Sequence, residues 1–146
     1  MKGWMIAALT LALGCGVALA GGADAIKARQ ALMKDNGRVS KPLGPMLKGA
    51  APFDLATVQT ALKTYENAAE KMPGLFPDDS KTGGDTQALP AIWENKADFD
   101  ARFKTFGKDA AAALVSVKDE ATFKAAMPGI FKNCGGCHEK YRQKES

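Results

Sequence analysis

The 146-residue sequence predicts an all-α fold, an antiparallel four-helix bundle. Three observations carry that reading. Apolar residues recur at alternating steps of three and four, which is the seam of a bundle helix. Cap-type residues and Pro/Gly clusters divide the chain into four such segments. No alternating apolar–polar run long enough for a useful strand is present. At 46% apolar residues the chain can fold around a core, and its length suits one domain.

The first segment reads as processing rather than structure. Lys2 precedes an apolar run from Trp4 to about Ala20, which closes on Ala18-Leu19-Ala20 and is followed by Gly21-Gly22. A basic start, a short apolar run and a small-x-small ending describe a cleaved export signal over residues 1–20. The folded domain then spans 21–146. An uncleaved anchor would need a run of about 20 apolar residues. Cys15 sits in a poor lipid-attachment context. Loss of Lys2 lowers the formal net charge from +4 to +3 and leaves Cys134, Cys137 and His138. A periplasmic location follows, with no stable membrane insertion after processing.

The helices follow in order. Asp24 is the expected cap of a helix over 24–34, with Ile26, Arg29, Leu32 and Met33 on it; Gly37, Pro42 and Pro45 should break or kink any continuation to Leu47. Asp54 caps a second helix, whose seam is Leu55, Val58, Leu62, Tyr65, Ala69 and Met72. Residues 73–90 form a long loop, of the kind that wraps something or moves. The third helix runs from about Pro90 to Val117, with Ile92, Phe99, Phe103, Phe106, Ala110 and Leu114 inward. Asp119 caps the fourth, with Phe123, Met127, Ile130, Cys134, Cys137 and Tyr141 as its seam and a kink expected at Pro128.

The chemistry lies in Cys134-Gly135-Gly136-Cys137-His138. C-x-x-C-H is the attachment signal of haem c. On a helix, positions i and i+3 share a face. Two thiols placed so can form thioethers to one porphyrin, and the next residue turns an imidazole toward its iron. A thioredoxin-like motif would open a helix after a strand. A zinc site would need a further ligand and usually a second pair. A plain disulfide is the third alternative. The export signal and the helical pattern favour haem c, one per chain, bound covalently through Cys134 and Cys137 with His138 as the proximal iron ligand. Because His138 is the only His, the other axial position is open or filled by Met, Lys or another donor. Met33, Met46, Met72 and Met127 are the methionine candidates, each more often a core filler than a ligand.

The chain resembles the class II c-type cytochromes, the cytochrome c′ family. The resemblance rests on Arg29-Gln30, on Lys48-Gly49-Ala50-Ala51-Pro52-Phe53-Asp54, on Gly83-Gly84-Asp85, on Ile92-Trp93, and on Cys134 to Arg142 near the C-terminus. Counting back from Lys48-Gly49-x-x-Pro52 puts the family's distal position on Met33. The stretch Arg29 to Arg38 looks like the low-spin cytochrome c-556 branch, in which a first-helix Met is the sixth ligand. The resemblance therefore implies Met33 as distal ligand, Arg29 and Gln30 near the haem propionates, Trp93 packed beside the haem, and either a monomer or a homodimer.

A His/Met-ligated iron has no open site, which implies an electron carrier serving redox partner proteins. If Met33 stays off the iron, the implied function is that of a high-spin cytochrome c′ binding NO or CO at an open distal site. Lys132, Lys140, Arg142 and Lys144 could steer acidic partners or be a solvated surface. No second constellation suggests an enzyme, and a charge of +3 does not suggest nucleic-acid binding.

Overall fold

The protein is described from a computed structural model over residues 21–144; the expected signal over 1–20 lies outside the described residues. Four long helices form the bundle: α1 (Gly22–Ser40), α3 (Leu55–Lys71), α5 (Lys96–Ser116) and α6 (Glu120–Tyr141). Two short ones, α2 (Leu43–Leu47) and α4 (Ala91–Glu94), lie in the connections. α1 packs on α3, α3 on α5, and α5 on α6. No strand occurs among the described residues, only a bridge between Ala88 and Arg142.

The helix starts show where sequence rules held and where they did not. Asp54 caps α3, accepting from the Ala56 and Thr57 amides. Asp119 caps α6 in a reciprocal box with Thr122, which satisfies end-of-helix donors that would otherwise be orphaned. In α1 the expected cap, Asp24, is already inside the first turn. The cap comes from across the chain instead: Asp79 Oδ2 accepts from the Gly22 amide at 3.0 Å. This docking requires glycine, since a Cβ at Gly22 would stand 2.2 Å from the Asp79 carbonyl oxygen.

α1 also runs further than expected, through Gly37 to Ser40. A lone exposed glycine weakens a helix by only about 1 kcal/mol. The break comes at Lys41-Pro42: both residues keep helical backbone angles, but Pro42 has no amide hydrogen with which to continue the ladder. The expected third helix is interrupted once, at Asn95, whose backbone leaves the helical region (φ −127°) between α4 and α5. α6 continues through Pro128 as one helix, with Pro128 on its exposed side.

The core is continuous across the bundle. Val58, Leu62, Tyr65 and Met72 of the α3 seam are buried, facing Phe99, Phe103 and Phe106 of α5 and Phe123, Met127 and Ile130 of α6. Edge-on ring contacts link Phe76 to Phe99 at 4.7 Å and Phe99 to Tyr141 at 5.2 Å, joining the loop, α5 and α6. Burial of this apolar surface is the main favourable term in folding.

Candidate haem site

α6 carries the attachment motif near its C-terminal end. Cys134 and Cys137 are free, half-buried thiols packed against the core. They are not bonded to each other, and the described residues include no cluster of three or more His, Cys, Asp or Glu arranged for a metal ion. Burial pushes both thiols above their ordinary pKa, with the Arg102 guanidinium pulling Cys137 partly back. The thiols are therefore protonated at neutral pH. His138 is half-buried, and among the described residues its imidazole makes no hydrogen bond. Burial first, and the Arg142 cation second, lower its pKa. A neutral imidazole with a free lone pair is the form that binds iron.

A clamp from α5 holds this segment. Arg102 donates through Nη1 to the Gly136 carbonyl at 3.3 Å and through Nε to Asp98 Oδ2 at 2.9 Å. The same oxygen accepts from Tyr141 Oη at 2.5 Å and Lys140 Nζ at 2.9 Å. Asp98 thus ties two residues just beyond His138 back to α5. Nothing in the motif itself signalled this clamp; only the Asp98/Arg102 spacing of four hinted at a local pair.

α1 packs on α3 and adds partly buried residues to the same core. Met33 and Leu32 are half-buried and packed against the same core that receives Cys134 and Cys137. The other three methionines among the described residues lie inside the core, Met46 at 7% exposure and Met72 and Met127 at 0%. Asn36 lies one turn after Met33 and carries a buried Oδ1 with no hydrogen-bond partner. Such orphaned buried polar atoms are rare in folded proteins.

Arg29 is 5% exposed, and among the described residues no carboxylate is bonded to it. Its Nη1 donates to the Leu75 carbonyl (3.1 Å) and Ser80 Oγ (2.8 Å). Its Nη2 donates to the Ser80 carbonyl (2.8 Å) and Thr86 Oγ1 (2.7 Å). The guanidinium also lies 4.6 Å from the Phe76 ring centre, a cation–π contact. Trp93 joins this cage rather than standing apart, donating from Nε1 to the Phe76 carbonyl at 2.9 Å. Gln30 donates to the Gly84 carbonyl at 3.0 Å, in a turn where Gly83, Gly84 and Asp85 all take positive φ. What the long loop wraps is therefore Arg29. Ser80, Thr86 and Asp79 escaped the sequence reading, because their partners lie more than 50 residues away.

The donor set fits haem c. Two free thiols stand at i and i+3 on α6, and a neutral imidazole without a hydrogen bond follows. The family model described as Cytochrome C' matches residues 24–142. A cytochrome c′ of Rhodopseudomonas palustris is 48% identical over 92% of this chain and 91% of its own length. A cytochrome c-556 of the same species is 42% identical over 84% of this chain and 85% of its own. The solved cytochrome c′ of R. palustris superposes with a TM-score of 0.81 at 49% identity, covering 84% of this chain and 98% of that one.

Proposed function

The chain belongs to the cytochrome c′ family of haem c proteins, and on that premise we propose that it is a periplasmic electron carrier whose iron takes His138 and Met33 as axial ligands. One observation carries the choice of Met33. Among the described methionines it alone is not consumed by core packing, and it stands half-buried on α1 where the resemblance puts the distal ligand. The export signal expected over 1–20 supports the periplasmic location. No helix among the described residues is long and apolar enough to cross a membrane.

Haem c, when bound, supplies a one-electron couple, and the protein supplies ligands, burial and hydrogen bonding. Cys134 and Cys137 hold it covalently. His138 offers its neutral imidazole from α6. Met33 offers a soft neutral donor, which favours the reduced iron and raises the potential relative to an anionic ligand. With His138 and Met33 both held by the protein, little would need to rearrange when the charge changed. Arg29 and Gln30 lie toward the propionates in this reading. Four of the five guanidinium N–H groups of Arg29 are spent on the loop, and Nε–H remains for a carboxylate.

A second reading, an open distal site that takes NO or CO, is favoured by the 48% identical relative bearing the name cytochrome c′. Absorption spectra of both oxidation states separate the two. The carrier reading expects a low-spin parent and a high-spin, CO-binding Met33→Ala. A high-spin parent would establish the second reading, and an unchanged Met33→Ala spectrum would refute the ligand.

A further inference from the structure

Between Arg29 and Val39 no residue of α1 is buried. Its buried residues cluster at the two ends, and Met33 sits in the stretch between them. Leu32 and Met33 pack against the core from there only partly buried, and polar contacts on the Met33 face fix the stretch at either end. Arg29 precedes Met33 by four residues and is bonded to the loop. Ser40 follows by seven, on the same face.

At Ser40 the hydrogen bonds form a directed chain. Ser40 Oγ lies 2.6 Å from the Asn36 carbonyl and 2.6 Å from Tyr65 Oη. A hydroxyl has one proton to give. The carbonyl can only accept, so Ser40 donates to it and Tyr65 donates to Ser40. Tyr65 is 0% exposed, its ring 5.5 Å from that of Phe106. The tyrosine is fixed by α3 and α5, and it in turn fixes the last turn of α1.

Resting on the assignment of Met33 above, we propose that Ser40 and Tyr65 are positioning residues for the Met33–iron bond: their hydrogen bond holds α1 at the rotation that presents the thioether. Neither residue touches the iron. Releasing the bond would let the middle of α1 turn, and Met33 would then hold its place against an external ligand such as CO less firmly.

The test is CO titration of the ferrous holoprotein, with the spin state read from absorption. Tyr65→Phe and Ser40→Ala each raise CO affinity roughly five- to tenfold, the factor one net hydrogen bond supplies. Ser40→Thr, which keeps the hydroxyl, stays at the parent's affinity. In a Met33→Ala background the Tyr65→Phe change has no further effect, because no thioether bond remains to be weakened. Parent-like CO affinity in both Tyr65→Phe and Ser40→Ala overturns the proposal, as does an equal gain in the Met33→Ala background. Ser40→Ala carries the test alone if Tyr65→Phe does not fold. A Met33→Ala spectrum identical to the parent's overturns the ligand assignment itself, and this inference with it.

Discussion

In α6, start, seam and chemistry come from one short stretch of chain, and Asp98 and Arg102 of α5 tie its end back. α6 is started by its own capping box, carries its seam at regular spacing, and holds both thiols and the imidazole within five residues. The α1 half is assembled from distant pieces. Its cap is Asp79, its central cation is bonded to residues 75, 80 and 86, and its last turn hangs on Tyr65. The first half fixes a cofactor by covalent chemistry and can be built locally. The second carries Met33, the distal ligand of the proposed reading, and its geometry depends on long-range hydrogen bonds.

The largest expected break is on the local side. Replacing Cys134 and Cys137 together by Ala abolishes covalent attachment, so a denaturing gel stained for haem goes blank while the parent stains. On the assembled side, Arg29→Met leaves two carbonyls and two hydroxyls without their donor in a buried cage. Unsatisfied buried groups of this kind make a loss of about 3 kcal/mol the expectation, measured by denaturant unfolding of the holoprotein. Arg29→Lys should recover less than half of it, since an ammonium cannot span the four acceptors of the fork.

The same division explains how much the sequence disclosed. The caps Asp54 and Asp119, the 3–4 seams of α3 and α6, and Cys134, Cys137 and His138 are local patterns, and each was legible. The start of α1 was misplaced by two residues because its cap is 57 residues away. Its end was misplaced because Gly37 resembles a stop, whereas Pro42 supplies it. The loop over 73–90 looked like a free wrapping segment; its two 3₁₀ turns, Met72–Leu75 and Asp78–Ser80, are organised by Arg29, a residue that sequence rules would put on the surface.

A smaller effect probes the docking of α1. Gly22→Ala forces a methyl against the Asp79 backbone, and overpacking of this kind costs roughly 1–3 kcal/mol. If the first turn frays to avoid the clash, the loss falls to that of a missing cap, about 1 kcal/mol. Thermal unfolding measures the total, and amide exchange at Asp24 and Ala25 tells which route is taken. A parent-like melting temperature with parent-like exchange would show that Asp79 does not cap α1.

The smallest effect separates the two halves by pH. The Tyr141, Lys140 and Arg102 donors hold the Asp98 carboxyl well below the ordinary carboxylate range. A carboxyl lowered on folding contributes stability above its unfolded pKa of about 3.9, and that contribution is lost as pH falls toward the folded value. Asp98→Asn removes it at every pH. The stability gap between parent and Asp98→Asn is therefore modest, steady from neutral pH down to about pH 4, and narrower below. The four Arg29 bonds end on neutral oxygens, so the Arg29→Met gap should keep most of its size over the same descent. Unfolding curves of the two variants at pH 6 and pH 2 check both statements together. An Arg29→Met gap that collapses alongside the Asp98→Asn gap would mean that a titrating carboxylate, rather than the loop, dominates the partners of the buried cation. The contrast between a carboxylate clamp on α5–α6 and a neutral cage around α1 would then fail.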